Sequence, residues 1–177
     1  MSVAALPPVL FEDDALVAYD KPSGLLIAPD RWDKSLENLM DLVHRLASPD
    51  WFNVHRLDKD TSGVVLCAKN KVALDALCLA FETRAVSKTY FALTRGSPPA
   101  PSGHVSLALA PDPARPGRVV ARPSGKPAET LYEVVERWRD LSLVRLHPMT
   151  GRSHQLRVHL AALGCPIVAD AFYGDGR

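Results

Sequence analysis

Two strand-like segments near the C-terminal end of the chain are separated by only two residues, and this spacing strongly constrains the fold. The segments TLYEVVERW (130–138) and LSLVRLH (141–147) are rich in β-branched, aromatic and other apolar residues, as strands usually are. Such a short connection favours an antiparallel hairpin. A sheet that contains hairpins differs from a doubly wound parallel sheet, in which a crossover separates each strand from the next.

Strand-like and helix-like segments alternate along the rest of the chain. Further strand candidates are LVAYD (16–20), VVLCA (64–68) and TYFALT (89–94). Apolar residues recur at helical spacing in residues 35–47, 71–84 and 151–164, and Ser35 and Ser153 are placed to cap the first and the third of these helices. The sequence therefore predicts an α+β fold with a mixed, mainly antiparallel sheet and flanking helices.

Prolines and basic residues are concentrated in residues 96–127. This segment holds eight of the 15 prolines, together with Arg115, Arg118, Arg122 and Lys126. Two short runs in it, HVSLALA and GRVVA, are suited to a hairpin between proline-rich turns. A chain of 177 residues is long enough for one domain with a substantial core. We predict a single domain over residues 1–177, with 96–127 as a basic excursion from it rather than a linker.

The composition is that of an ordinary globular protein, with 47% hydrophobic and 23% charged residues. No apolar run approaches the ~20 residues that cross a bilayer, and the N-terminus has no basic leader, so we expect no membrane partner. Three scattered cysteines, Cys67, Cys78 and Cys165, favour a reducing cytoplasm over a disulfide framework.

The net charge of +1 hides an asymmetry along the chain. Residues 1–50 carry nine acidic and four basic groups, whereas residues 51–177 carry eleven acidic and seventeen basic groups. A basic face can attract a polyanion even when the overall pI is modest. Solvated surface charge is the alternative explanation.

Motifs for common cofactors are absent from the sequence. It contains no GxxxxGK[ST], GxGxxG, HExxH or GxSxG. His147, His154 and His159 lie close in sequence, but neither a cysteine pair at CxxC spacing nor a suitably placed carboxylate completes a metal site. We therefore predict no bound metal, and we expect these histidines to form local hydrogen bonds or to contact substrate.

The most informative stretch is HRLDKDTSGVVLCAK, residues 55–69. It places His55, Arg56 and Asp58 just before a sharp TSG turn that leads into a strand candidate. A turn of this kind holds side chains at the edge of a rigid sheet, where sites are commonly built. The residues alone leave open an ordinary turn or capping role for Asp58.

This stretch resembles the HRLDxxTSGxxxxAK signature of the RluA-type pseudouridine synthases. Other segments resemble that family in the same order: LVAYDKPSGLLIAP (16–29), KTYFALTRG (88–96), AETLYEV (128–134) and LHPMTGRSHQLRVHLAALGCPIVADAFYG (146–174). The resemblance covers nearly the whole chain. It implies the pseudouridine synthase catalytic fold and the isomerisation of uridine to pseudouridine in structured RNA, without a metal or an organic cofactor.

The resemblance also implies roles for individual residues. Asp58 matches the essential catalytic aspartate, Arg157 the arginine that pairs with it, and Tyr90 the tyrosine that stacks against the target base. Arg56 matches the arginine that helps to displace this base from its stack. Further RNA contacts are expected from His55, Lys88, Arg152, His154 and Gln155.

The implied partner is ribosomal or transfer RNA, and we expect a cytoplasmic monomer. We expect no separate N-terminal RNA-binding domain of the kind that some relatives carry, although relatives usually continue past the FYG segment with a further strand and helix. Ala169-Asp170 stands where the family usually has Gly-Asp. We expect that difference to alter a turn and not the chemistry.

Three other functions fit parts of the pattern. A catalytically silent RNA-binding relative would lack Asp58, Tyr90 or Arg157, and all three are present. A hydrolase that uses Asp58 and His55 would need an oxyanion site and a nucleophile elbow, and the sequence offers no such elbow. A structural ribosome-associated protein would bind RNA without turnover.

Overall fold

The computed structural model describes residues 5–30 and 33–174, which belong to two compact units. The first unit extends to Ala85 and the second begins at Val86. Each unit has its own sheet. The single domain expected over residues 1–177 therefore stays a prediction.

An antiparallel sheet of four strands, in the order β1-β2-β4-β3, forms the first unit. Its elements are β1 (Val9–Glu12), β2 (Leu16–Lys21), α1 (Leu39–Leu46), β3 (Phe52–Asn53), β4 (Gly63–Ala68) and α2 (Lys71–Glu82). Strands β2 and β4 pair from Leu16 opposite Ala68 to Lys21 opposite Gly63. This register brings the end of β2 beside the TSG turn that precedes β4.

One face of this sheet is apolar and buried. Val17 and Tyr19 of β2 lie opposite Cys67 and Val65 of β4, and each of these four residues is at most 1% exposed. Their alternation with more exposed neighbours follows from the two-residue period of a strand. Helix α1 is amphipathic and adds its own buried residues, which are Leu39, Met40, Leu42 and Val43.

An antiparallel sheet of five strands, in the order β5-β9-β8-β6-β7, forms the second unit. Its elements are β5 (Tyr90–Arg95), β6 (Ser102–Pro111), β7 (Val119–Ala121), β8 (Lys126–Arg137), β9 (Leu141–Pro148) and α3 (Gln155–Ala162). Helix α3 packs its Leu160 into a core cluster of the sheet that includes Ala92, Val105, Val144 and Leu146. The helix that carries the HQLRVH motif is thereby fixed against one face of the sheet.

The α+β class with a mainly antiparallel sheet is confirmed. Strands β8 and β9 form the expected hairpin, and β6 pairs with β7 inside the basic excursion. An isolated bridge between Leu26 and Asn38 is parallel. Strands β1 and β3 are not apparent in the sequence, because all four residues of β1 are exposed and β3 has only two residues. Within the described ranges, whose longest helix has 12 residues, no helix has the length and apolarity to span a bilayer.

The two expected helix caps are wrong. Helix α1 begins at Leu39, and its N-cap is Asn38, whose side chain accepts a hydrogen bond from the N–H of Asp41 at 3.0 Å. The hydroxyl of Ser35 instead donates to the carboxylate of Asp33. Helix α3 has His154 at its N-cap position, without a side-chain capping bond, so Ser153 does not cap it.

His159 is a titratable group in the interior of the second unit. The residue is 1% exposed, and neither of its ring nitrogens has a hydrogen-bond partner among the residues that the structure describes. Burial, with a further contribution from His104, lowers the pKa of His159 from 6.5 to about 4. The imidazole is therefore neutral in the folded protein at neutral pH.

We predict that the protein loses stability as the pH falls from about 6.5 to about 4. In this range the unfolded chain binds a proton at His159 that the folded chain excludes, which favours unfolding by up to about 3 kcal/mol. Urea unfolding at pH 7 and pH 4.5 should show a smaller loss for His159→Leu than for the wild type. His44→Leu, at an exposed position, is the matched control. Equal losses in the wild type and in His159→Leu would contradict this prediction.

Candidate active site

The HRLDKDTSG segment forms the connection from β3 to β4 in the first unit. Asp58 lies half-buried in this loop, and its backbone carbonyl accepts a hydrogen bond from the N–H of Thr61 at 3.1 Å. Arg56 is exposed. Asp58 belongs to the first unit, whereas Tyr90 and Arg157 belong to the second.

Lys21, the last residue of β2, is a buried cation that holds this loop. It is 0% exposed, and its Nζ donates to the backbone carbonyls of Pro22 (2.9 Å), Leu25 (2.7 Å) and Lys59 (2.9 Å). An ammonium group has three N–H donors, so all of them are used. Since Lys59 directly follows Asp58, the ammonium fixes the backbone beside that carboxylate.

The charge of Lys21 also acts on the loop. Burial lowers the pKa of Lys21, and attraction to the carboxylates of Asp60 and Asp58 opposes this shift. A buried cation is stabilised when its donors are satisfied and opposite charges lie nearby. The site thus has one buried positive group whose electrostatic partners include Asp58.

The KPSG turn adds two hydrogen bonds to the same loop. The N–H of Gly24 donates to the carbonyl of Lys59 at 2.9 Å, and the hydroxyl of Ser23 donates to the carbonyl of Asp60 at 2.8 Å. Gly24 has a φ of 89°, a conformation that glycine adopts without steric cost. The turn therefore binds the backbone on the C-terminal side of Asp58.

His55 holds the other side of the loop. Its Nε2 accepts a hydrogen bond from the N–H of Leu66 at 3.1 Å, and its ring stacks on Phe81 of α2 with centroids 4.8 Å apart. These contacts attach the start of the loop to β4 and α2. The geometry favours a positioning role for His55, and direct contact with RNA stays a prediction.

Arg157 of α3 is oriented in the second unit by the carboxylate of Asp170. Its Nε donates to Oδ2 at 2.7 Å and its Nη2 donates to Oδ1 at 2.8 Å, which is a bidentate pair. The N–H groups of Phe172 (2.9 Å) and Tyr173 (3.1 Å) also donate to Oδ1. Burial alone would raise the pKa of Asp170, but these donors outweigh it and the pKa lies below its usual value.

Aromatic rings complete the surroundings of Arg157. The centre of its guanidinium lies 5.4 Å from the ring centroid of Phe172 and 5.0 Å from that of Tyr173. The hydroxyl of Tyr173 lies 2.8 Å from Nδ1 of His154, the residue that precedes α3. Arg157 is therefore held both by an ion pair and by cation–π contacts.

The turn that carries Asp170 begins with a strained residue. Ala169 has a φ of 59°, in the left-handed region that disfavours residues with a Cβ. A glycine would adopt this conformation freely, which gives a physical reason for a glycine at this position in the motif. In this chain an alanine occupies the same region, and the turn that follows supplies Asp170.

Tyr90 begins β5, opposite Leu146 of β9, and packs half-buried against the core cluster. Lys88 is half-buried just before this strand. Arg152 is exposed, and its Nε donates to the carbonyl of Pro127 at 3.0 Å. Lys88 and Arg152 are thus both at least partly accessible at the surface of the second unit.

Gln155 is buried at the start of α3, where its amide group bonds only within the chain. Its Nε2 donates to the carbonyl of Glu129 (2.8 Å) and to the hydroxyl of Thr130 (3.0 Å). Its Oε1 accepts from the hydroxyl of Thr150 (2.7 Å) and from the N–H of Arg152 (3.0 Å). These four bonds fill the hydrogen-bonding capacity of the amide and favour a positioning role for Gln155, and its contact with RNA stays a prediction.

Three residues that hold candidate functional groups were not predicted from the sequence: Lys21 in the first unit, and Asp170 and Tyr173 in the second. Each lies in a segment that resembles the family, within KPSG or within DAFYG, but only the fold shows what it binds. Within residues 5–30 and 33–174, no group of three or more His, Cys, Asp or Glu residues is arranged to hold a metal ion.

Comparisons with known proteins agree on one family. The family model described as RNA pseudouridylate synthase matches residues 15–162. The dual-specificity RNA pseudouridine synthase RluA of Vibrio vulnificus (strain CMCP6) is 42% identical over 97% of this chain and 73% of its own length. The protein of the same name from Escherichia coli (strain K12) is 45% identical over 94% of this chain and 77% of its own length.

Solved structures give the same result for the fold. The structure of human RNA pseudouridylate synthase domain containing 1 matches with a TM-score of 0.82 and 30% identity, over 100% of this chain and 75% of that chain. Human RNA pseudouridylate synthase domain containing 4 matches with a TM-score of 0.78 and 32% identity, over 96% of this chain and 69% of that chain.

We predict that Lys21→Met loosens the loop that carries Asp58. The substitution leaves three carbonyls without their buried donor, so the free energy of unfolding should fall by about 2–4 kcal/mol. Amide hydrogen exchange at Gly24 and Thr61, whose N–H groups bond to this loop, should accelerate.

Lys71→Met is the matched control for this substitution. Lys71 forms an exposed ion pair with Asp75 four residues along α2, so its loss should change stability by no more than about 0.5 kcal/mol. If both lysine variants unfolded at the same urea concentration, Lys21 would not hold the loop.

Proposed function

The chain belongs to the RNA pseudouridylate synthase family, and we propose that it isomerises uridine in ribosomal or transfer RNA with the carboxylate of Asp58 as the reacting group. The isomerisation of uridine to pseudouridine in RNA follows from the family. The observation that carries the role of Asp58 is its place in the HRLDKDTSG loop, which Lys21 and the KPSG turn hold in place.

The reaction needs no net oxidant or reductant. The bond from N1 of the uracil to C1′ of the ribose breaks, the base turns, and a bond from C5 to C1′ forms. C5 loses its proton and N1 gains one, so the atoms balance within one nucleotide. The carboxylate of Asp58 acts either as a nucleophile or as a base that takes a proton from the sugar, and in both routes it starts ionised.

Arg157 is proposed to pair with the carboxylate of Asp58 in the reaction, as the family resemblance implies. A guanidinium binds a carboxylate through two parallel N–H donors, and their opposite charges attract. The bidentate bond to Asp170 fixes the orientation of the Arg157 guanidinium, which supports this proposal.

Base flipping is the proposed route by which uridine reaches Asp58. Removing a base from its stack costs a few kcal/mol, which an aromatic platform and an inserted side chain offset. Tyr90 is proposed as the platform and Arg56, which is exposed, as the inserted side chain. Uracil has few distinguishing edges, so the shape of the RNA selects the target.

Exposed and half-buried cations of the second unit are proposed to bind the RNA backbone. They are Arg152, Lys88 and the basic residues of the 96–127 excursion, which are Arg115, Arg118, Arg122 and Lys126. The relatives are named as dual-specificity RNA enzymes, which supports two kinds of RNA target, and we propose ribosomal and transfer RNA as these targets. Three free thiols, at Cys67, Cys78 and Cys165, support a reducing cytoplasm as the compartment.

We predict that Asp58→Asn abolishes pseudouridine formation and leaves folding and RNA binding nearly unchanged. The substitution is close to isosteric but removes the charge, so the rate should fall by about a thousandfold or more. Pseudouridine mapping across ribosomal and transfer RNA, in cells that lack the protein and are complemented with wild type or variant, measures the rate loss and names the target.

Asp60→Asn is the matched control, because this aspartate lies two residues further in the same loop and is exposed. It should restore modification in the same cells. A wild-type rate for Asp58→Asn would remove Asp58 from the reaction, and stoichiometric binding without turnover by the wild type would indicate an RNA-binding protein.

We predict that Tyr90→Phe retains most of the activity, whereas Tyr90→Ala loses about tenfold or more, because stacking on the base requires the ring. Steady-state rates on an RNA that contains the mapped uridine measure the difference. Phe91→Ala is the control, since Phe91 lies next in β5 and is 58% exposed on the opposite face of the sheet. Equal activities of the two Tyr90 variants would argue against the platform.

A further inference from the structure

The side chain of Tyr173 connects three parts of the second unit. Its hydroxyl accepts a hydrogen bond from the N–H of Val119 in β7 at 2.8 Å. The same oxygen lies 2.8 Å from Nδ1 of His154, which precedes α3. Its own backbone N–H donates to Asp170. One residue thus joins β7, the start of α3 and the turn that orients Arg157.

The ring of Tyr173 contacts two guanidinium groups. Arg118 lies 5.4 Å from the ring centroid and Arg157 lies 5.0 Å from it. Both distances are within the range of a cation–π contact. Arg118 is a half-buried cation with an ion pair to Asp112 at 3.8 Å, so it is partly withdrawn from solvent.

Val119 and Arg118 belong to a basic arm, which we define as residues 111–126. The arm consists of the loop after β6, strand β7 and the turn into β8. It carries four basic residues and one acidic residue. Its loop is closed by the bond from the N–H of Asp112 to the carbonyl of Arg118 at 2.9 Å. Tyr173 is therefore a fastening point between this arm and α3.

We propose that Tyr173 is a positioning residue with two separable functions: its hydroxyl fastens the basic arm that binds RNA, and its ring holds the guanidinium of Arg157 for the reaction. This proposal rests on the roles proposed above for the arm and for Arg157. The FYG segment, which contains Tyr173, thereby has a positioning function in the second unit.

The two functions follow from different physical contacts. The hydroxyl gives the N–H of Val119 its hydrogen bond, and burial raises the pKa of Tyr173, so the phenol stays protonated. The ring restricts a long arginine side chain that otherwise has many rotamers. Removing the hydroxyl alone should loosen the arm, whereas removing the ring should also release Arg157.

Tyr173→Phe and Tyr173→Leu separate the two functions. We expect Tyr173→Phe to raise KM for RNA about fivefold, because the arm loses its bond from the N–H of Val119 to the hydroxyl, with kcat within about twofold. We expect Tyr173→Leu to raise KM similarly and to lower kcat about tenfold or more. Both are assayed at a temperature where equilibrium unfolding shows them to be folded.

Two measurements test the contacts without relying on activity. Amide exchange at Val119 should accelerate in both variants, because both lose the hydroxyl acceptor. Exchange of the Nε proton of Arg157, followed by nuclear magnetic resonance, should accelerate only in Tyr173→Leu. Unchanged exchange at Val119 in both variants, or equal Arg157 exchange in both, would overturn the proposal whatever the enzymatic rates are.

The experiments distinguish failure of the Tyr173 proposal from failure of the proposed function. If Asp58→Asn is inactive while both Tyr173 variants keep wild-type kcat and KM, the positioning proposal is wrong and the proposed function stands. If Asp58→Asn is fully active, the proposed function is wrong, and the exchange measurements still decide whether Tyr173 holds the arm and Arg157.

Discussion

The buried carboxylate of Asp170 is the group on which the turn at residues 169–174 and the orientation of Arg157 depend. It accepts two hydrogen bonds from Arg157 and two from the backbone of the turn that follows it. A buried charge without such partners is strongly destabilising, so the turn and the arginine are fixed together. Any rearrangement of one leaves the other with an unpaired charge. The position of Tyr173, and through it the fastening of the basic arm, follows from the same four bonds.

The first unit uses a buried charge of opposite sign in the same way. The ammonium of Lys21 donates hydrogen bonds to three backbone carbonyls, one of which belongs to the residue after Asp58. Backbone groups make all three bonds to Lys21 and two of the four bonds to Asp170, and they have fewer alternative conformations than side chains. The loop that carries Asp58 and the turn that orients Arg157 therefore gain the rigidity that elsewhere comes from strand pairing.

Much of the fold was readable from the sequence because it depends on local pattern. The two-residue gap between 130–138 and 141–147 permits little besides a hairpin, and the apolar periods of α2 and α3 locate those helices to within a few residues. Helix starts were less certain, because several polar residues compete for the cap. The hydroxyl of Ser35 donates its hydrogen bond to Asp33, and Asn38 caps helix α1 instead. Strand β1 has no alternation to read, since it buries no side chain.

The same contrast applies to the functional residues: the sequence predicted the reacting groups but not the groups that hold them in place. Resemblance named Asp58, Tyr90 and Arg157, but a lysine normally lies at the surface and nothing local marks Lys21 as buried. One of its partners, Lys59, lies 38 residues away, just as Val119 lies 54 residues from Tyr173, and such pairings exist only once the chain has folded. Catalytic geometry must hold to about half an ångström, and long side chains do not keep that precision unaided. Lys21, Asp170 and Tyr173 supply this precision. A sequence pattern does not reveal that role, although it does identify the reacting groups that these residues hold.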